Sequence, residues 1–315
     1  MKVRYALSRW RTVAATLGAP LLLAATASSA AAQRTHVILV QGLAGEPSYG
    51  PVFKDVLNTV ATAAKSSWNV ADSSLIVLTE DGVGKLKSTR ENVAQAFATI
   101  GNRAAAGDVV LVMLVGHGGG EGPASRVNLP GPDPTAADYA TWMSGFGKQR
   151  VVFVNASSGS GDFLPVIAGK QRVVVTATKS ALQRNESVFA MYFARGLTTS
   201  ESDSDKDGRV SVLEAFNYAK KEVKRVYEST KRMQTEQAQL SDSTLAKAVA
   251  FGGAAASTDP KIAALVAERQ ELEAQVGALR LRKESMAAAE YDKQLETLLL
   301  SIAEKTRAIR EAGGR

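Results

Sequence analysis

Closely spaced carboxylates and one glycine occupy a twelve-residue segment in the second half of the chain. Asp203, Asp205 and Asp207 alternate with other residues, and Glu214 closes the segment. A hard divalent cation takes roughly six to eight oxygen ligands, and this spacing wraps oxygens around one point. Gly208 permits the sharp turn that such wrapping requires. The segment therefore predicts a site for Ca²⁺.

The same segment fits the loop of the EF-hand at its key positions. In that pattern Arg209 contributes its backbone carbonyl, Ser211 acts through water, and Glu214 binds with both oxygens from the start of the next helix. The alternative interpretation is a solvated acidic turn that caps a helix. Apolar stripes before and after the loop favour the helix–loop–helix interpretation: Phe189, Phe193 and Leu197, then Leu213, Phe216, Ala219 and Val223.

A second group of reactive side chains follows two apolar runs. His117 lies among glycines after Val109–Val115, and Ser157 and Ser158 follow Val151–Val154. Sites in doubly wound sheets form beyond the carboxyl ends of the strands. If these two strands are neighbours, His117 faces Ser157 or Ser158 as a base. The glycines would let backbone N–H groups form an oxyanion hole.

These segments resemble the caspase–legumain clan of cysteine peptidases, specifically exported bacterial caspase-like proteins. The resemblance covers about residues 35–253, and the order of its motifs is what makes it specific. It implies a caspase-like fold in which His117 matches the catalytic histidine and Ser157, or Ser158, stands where the clan has cysteine. The motifs are Gly116–Gly118, Asn128–Asp133, Val151–Ser157, Asp203–Tyr218 and Thr235–Ala238.

The chain contains no cysteine, which excludes disulfides, thiolate metal sites and a thiol nucleophile. An alcohol needs a well-placed base to become nucleophilic. We therefore expect a non-catalytic pseudopeptidase that acts as a binding or assembly module. The alternative is a peptidase or hydrolase that uses Ser157 or Ser158 with His117 as its base. An α/β-hydrolase needs a Gly-x-Ser-x-Gly elbow and a later histidine. The chain has no such elbow and no histidine after His117, which excludes this class.

Short β-branched runs alternate with amphipathic stretches along most of the chain. Uninterrupted apolar runs are typical of strands buried on both faces. The alternation predicts an α/β fold with a mainly parallel sheet covered by helices. A helix is expected to begin near Ser88, with Glu91 completing a capping box. The other expected strands and helices are His36–Val40, Leu75–Leu78, Val173–Thr176, Val52–Ala64, Thr135–Phe146, Ser187–Leu197 and Val212–Tyr227.

Residues 1–32 have the features of a secretory signal peptide: a basic start, an apolar run and small residues before Gln33. An uncleaved anchor is the alternative. Cleavage of the signal peptide would remove four positive charges and lower the net charge of the protein from +7 to +3. No basic stripe argues for nucleic acid, and no later segment predicts a stable membrane span. We expect an exported protein, periplasmic or extracellular, with its caspase-like α/β domain at 33–251.

A linker at 252–260 precedes a segment rich in Ala, Leu, Glu, Lys and Arg at 261–312. Its apolar residues keep approximate heptads that break around Ala287–Glu290. This pattern predicts two helices in a hairpin or coiled coil. The hairpin is expected to self-associate or to bind a protein partner. Packing back onto its own domain is the alternative.

Overall fold

The computed structural model describes residues 33–185, 187–205, 208–251, 260–281, 283 and 286–312. The expected signal peptide, the loop residue Asp207 and the linker at 252–259 lie outside the described residues. The domain boundaries that fall on those segments stay predictions.

A mainly parallel sheet forms the centre of the fold. Its strand order is β2-β1-β3-β6-β7-β8, and all neighbouring strands are parallel except β7 and β8. Strands β4 and β5 form a small separate hairpin. The α/β fold predicted from the sequence is thereby confirmed. The strands are β1 (Thr35–Gln41), β2 (Leu75–Leu78), β3 (Val109–Val115), β4 (Gly118–Gly119), β5 (Arg126–Val127), β6 (Arg150–Asn155), β7 (Arg172–Thr176) and β8 (Gln239–Leu240).

The predicted helices are present with bounds shifted by a few residues, and the short helices α4 and α7 were not predicted. The predicted capping box at Ser88 and Glu91 is wrong, because the Ser88 N–H donates to the carbonyl of Thr79 and Thr89 caps the helix instead. The helices are α1 (Tyr49–Ser66), α2 (Arg90–Arg103), α3 (Ala136–Trp142), α4 (Phe163–Ile167), α5 (Phe189–Thr198), α6 (Val212–Ser229), α7 (Ser243–Ala248), α8 (Pro260–Leu281) and α9 (Ala288–Glu311).

Side chains alternate between the two faces of the sheet, and each face has its own apolar core. On β3, Val109, Leu111, Met113 and Val115 pack with α1, α5 and α6, a side that we call the α1 face. The residues between them pack with α2, α3 and α4, on the α2 face. This alternation also determines which face of the sheet the first residues after each strand occupy.

A buried carboxylate fixes the start of α5. The side chain of Glu236 accepts hydrogen bonds from the N–H groups of Val188 and Phe189, at 2.9 and 3.2 Å, and from the hydroxyl groups of Ser187 and Tyr227. Burial raises the pKa of Glu236 despite these four donors. Glu236 therefore connects the beginning of α5 to α6.

Helices α8 and α9 contact each other as the predicted hairpin. Val276, Leu279 and Tyr291 are buried, and Lys305 pairs with Glu268 at 2.5 Å. Helix α8 ends at Leu281 and α9 begins at Ala288, next to the predicted break in the heptads. Within the part of the chain that the structure describes, no helix is both long and apolar enough to span a membrane.

Candidate functional site

Loops after β1, β3 and β6 meet at the carboxyl edge of the sheet. Glycine permits the closest approach, since a Cβ atom on Gly116 would lie 3.0 Å from the Cα atom of Gly42. The N–H of Gly42 also donates to the carbonyl of Val115 at 2.8 Å. The loop after β1 is thereby held against the loop that carries His117.

The imidazole of His117 is half-buried on the α1 face. Its Nε2 lies 3.1 Å from the carbonyl oxygen of Ala44, and the rings of Tyr49 and Phe53 contact it edge-on. Because a carbonyl oxygen only accepts, Nε2 carries a hydrogen, and in the tautomer with that single hydrogen Nδ1 is an acceptor. The orienting group is a backbone carbonyl, so no side-chain pattern in the sequence could have indicated it.

A cleft with mainly apolar walls opens beside His117. Helix α1 contributes Tyr49, Val52, Phe53 and Val56, and α5 with the residues before it contributes Val188, Ala190 and Met191. Ala156, the first residue after β6, also lines the cleft. Among the described residues, neither Ser157 nor Ser158 does.

The hydroxyl group of Ser157 is fully buried and belongs to the other side of the sheet. Phe153 on β6 packs on the α2 face, so alternation places Asn155 there too, whereas Ala156 packs on the α1 face. The Oγ of Ser157 donates to Oδ1 of Asn155 at 2.6 Å. Strands β3 and β6 are neighbours as expected, but His117 and Ser157 engage different faces.

Both serines lie beside Gly118, the residue that follows His117. A Cβ atom on Gly118 would lie 3.0 Å from the Oγ of Ser157 and 3.1 Å from the carbonyl oxygen of Ser158. Ser158 is buried as well. Among the described residues no hydrogen bond joins either serine to His117. The residue that shares the cleft with the imidazole is Ala156, which the sequence pattern did not single out.

The acidic loop between α5 and α6 brings three carboxylates together. One oxygen each of Asp203, Asp205 and Glu214 lies within 4.8 Å of the others. The N–H of Gly208 donates to Oδ2 of Asp203 at 3.0 Å, and Gly208 has a φ of +84°. Such a φ favours glycine, so Gly208 makes the turn expected of it. Oxygen-only ligands suit a hard cation such as Ca²⁺.

Glu214 holds the two ends of this loop together. Its Oε1 accepts from the N–H and hydroxyl of Ser204, both at 2.9 Å, and from the N–H of Asp205. Its Oε2 accepts from the N–H and hydroxyl of Ser211, the N-cap of α6. Burial acts to raise the pKa of Glu214, but these hydrogen bonds outweigh it and lower the pKa. Arg209 is half-buried in the same loop, and Asp207 lies outside the described residues.

No protein-family model matches the chain, and no curated protein matches it either. Solved structures do. Protein GSU0716 from Geobacter sulfurreducens is 13% identical with a TM-score of 0.41, over 66% of this chain and 92% of that one. The caspase drICE is 10% identical with a TM-score of 0.38, over 66% of this chain and 87% of that one. The observed sheet with flanking helices is consistent with the caspase-like fold expected from the sequence.

A cysteine at position 156 should react faster with iodoacetamide than a cysteine at position 157. Both residues are buried, at 3% and 0% exposed, but Ala156 lines the cleft, whereas the Oγ of Ser157 faces Asn155. Because the chain has no cysteine, each variant contains one thiol, and mass spectrometry reports its alkylation alone. We expect Ala156→Cys to react at least about tenfold faster than Ser157→Cys, since thiol reactivity depends on access of the reagent and only position 156 opens to the cleft. Equal rates would contradict the placement of these residues.

Proposed function

We propose that this protein is an exported, calcium-stabilised caspase-like module that binds a partner and does not cleave peptides. The observation that carries the proposal is the separation of its reactive groups. Ser157 or Ser158 stands at the position of the clan's cysteine. Both residues are buried, and neither lines the cleft beside His117.

Serine catalysis needs a base within hydrogen-bond reach of the hydroxyl. The Nδ1 atom of His117 stays available as an acceptor, but the hydroxyl of Ser157 already donates to Oδ1 of Asn155. Attack by Ser157 would require that hydroxyl to leave Asn155 and turn to the other face. This competing hydrogen bond and the burial of Ser157 favour a non-catalytic role.

A serine hydrolase is the second candidate, and one observation favours it. The Oγ of Ser157 lies beside Gly118, which is adjacent in sequence to His117. A rearrangement of the loop after β6 could therefore bring the hydroxyl towards the imidazole. In this candidate function His117 is the base and Ser157 or Ser158 the nucleophile.

The cleft supports binding of a peptide segment with an apolar side chain. Val52 and Met191 are partly exposed where they line it, at 48% and 41%. Apolar walls with few polar groups are typical of ligand sites, and the polar groups set orientation. Here Nδ1 of His117 can accept a hydrogen bond, so the ligand would carry an N–H or O–H group next to its apolar part.

Ca²⁺ fits the oxygen atoms of the loop between α5 and α6. We assign Asp203, Asp205, Asp207, Ser211 and Glu214 to it, together with the carbonyl of Arg209. The ion would neutralise the grouped carboxylates and hold the end of α5 against the start of α6. Glu214 would exchange part of its hydrogen bonding with Ser204 and Ser211 for the cation.

Assembly through the α8–α9 hairpin is the remaining part of the proposal. Leu299 and Leu300 on α9 are 48% and 60% exposed. Adjacent exposed leucines on a helix that already packs against a partner helix favour a further helix contact. We propose that a second copy of the hairpin covers them.

The purified mature protein should not hydrolyse a diverse peptide library in the presence of Ca²⁺. A correctly placed general base contributes about 10²–10⁴-fold, and among the described residues no hydrogen bond joins His117 to either serine. Turnover should therefore equal that of His117→Ala. If the native protein shows turnover that disappears in His117→Ala and in Ser157→Ala or Ser158→Ala, the protein is a serine hydrolase instead.

Glu214→Gln should abolish calcium binding measured by titration calorimetry. Extracellular sites of this type bind at about 10⁻⁴–10⁻³ M, so millimolar Ca²⁺ should stabilise the native protein by on the order of 1 kcal/mol. The matched control is Glu201→Gln, which removes a neighbouring exposed carboxylate outside the loop. Equal heats for Glu214→Gln and the native protein would show that the loop holds no calcium.

Leu299→Lys combined with Leu300→Lys should shift the sedimentation of the mature protein from a dimer to a monomer. Lysine keeps the helix but cannot be covered by an apolar partner surface. Val83→Lys with Leu86→Lys changes two exposed apolar residues elsewhere and serves as the control. A native protein that sediments as a monomer would refute assembly by this route.

A further inference from the structure

Two hydrogen bonds through one residue connect a carboxylate to the imidazole in the cleft. The N–H of Ala44 donates to Oε2 of Glu80 at 2.9 Å. The carbonyl of the same residue accepts from Nε2 of His117 at 3.1 Å. Ala44 is nearly buried, so its position decides where that carbonyl points.

The turn that carries Glu80 is itself firmly held. The N–H of Thr79 donates to the carbonyl of Leu86, and the N–H of Gly82 donates to the carbonyl of Thr79. A Cβ atom on Gly82 would lie 2.1 Å from the oxygen of Leu86, so the turn has no room for a side chain there. Glu80 therefore extends from a fixed backbone.

The loop at Ala44 is held by specific backbone contacts, among them the N–H of Leu43, which donates to the carbonyl of Asn128 at 2.8 Å. Gly45 has a φ of +72°, which turns the chain immediately after Ala44. The carbonyl of Ala44 also accepts from the N–H of Glu46 at 2.8 Å, a contact within the loop itself. The contact of Ala44 with Glu80 spans 36 residues and fixes the loop to the turn after β2.

We propose that Glu80 is a positioning residue for His117. By holding Ala44, it keeps the hydrogen of the neutral imidazole on Nε2 and leaves Nδ1 as the acceptor for a ligand in the cleft. Its relevance to ligand binding rests on the function proposed above, but the effect on the imidazole does not. The role requires an acceptor atom at the right reach and does not require a negative charge.

Two variants of Glu80 distinguish the effect of side-chain length from the effect of charge. Glu80→Gln keeps an acceptor oxygen at the same distance along the side chain and removes the charge. Glu80→Asp keeps the charge and shortens the side chain by one methylene. The control is Asp81→Asn, which removes the neighbouring charge that pairs with Lys54. All are made in the complete mature chain.

The measurement is ¹⁵N NMR of histidine side chains, which reports the tautomer directly. The chain has only two histidines, and His117→Ala assigns both signals. His36 serves as an internal reference, because it is buried at the other edge of the sheet against Asp108, at 3.0 Å. No ligand or turnover is needed, so failure of the proposed function leaves this test unaffected.

We expect Glu80→Gln and Asp81→Asn to leave the His117 tautomer as in the native protein. In Glu80→Asp the ratio of the two tautomers should shift by about fivefold, which is the effect of roughly one hydrogen bond. The signals of His36 should stay in place throughout. A native-like tautomer in Glu80→Asp, or a shift in Glu80→Gln as large as in Glu80→Asp, would overturn the proposal. A shift of both histidines would show a general loss of structure and would overturn it too.

Discussion

Alternation of side chains across the parallel sheet decides which residues can meet at its carboxyl edge. Consecutive residues of a strand face opposite sides. Met113 and Val115 therefore lead to His117 on the α1 face, and Ala156 reaches the same face from β6. The side chain of Asn155 lies on the α2 face and accepts a hydrogen bond from the hydroxyl of Ser157 there. Register, and not only the type of nucleophile, therefore limits the chemistry that this edge can perform.

His117 and Ser157 are each held at the edge by a specific partner, and leaving a buried polar group unpaired would cost about 1–3 kcal/mol. For His117 the partner is a backbone carbonyl, and for Ser157 it is an amide side chain. Each partner lies on the face where its group already points. Moving Ser157 towards the imidazole would break a buried hydrogen bond before any reaction could begin. A fold and the chemistry of its site are separable in general.

Much of the fold could be predicted because its strands are continuous β-branched runs. Arg172–Thr176 and Val109–Val115 show this directly. The sequence pattern did not predict strand β8. It consists only of Gln239 and Leu240, which pair with β7, and no apolar pattern marks them. The site was less predictable. Spacing identified the residues at the carboxyl edge, but the partner of His117 is main chain, and the face that Ala156 occupies depends on where β6 ends.

Helix α5 connects the acidic loop to the cleft. Its beginning supplies Met191 to the cleft, and its end leads towards Asp203. A Cβ atom on Gly196 would lie 2.9 Å from the carbonyl of Ala215, so α5 and α6 pack with their backbones in close contact. Glu236 fixes the other end of α5. A cation that stiffened the loop would therefore restrain a helix already anchored at its start, and the wall of the cleft would be restrained with it.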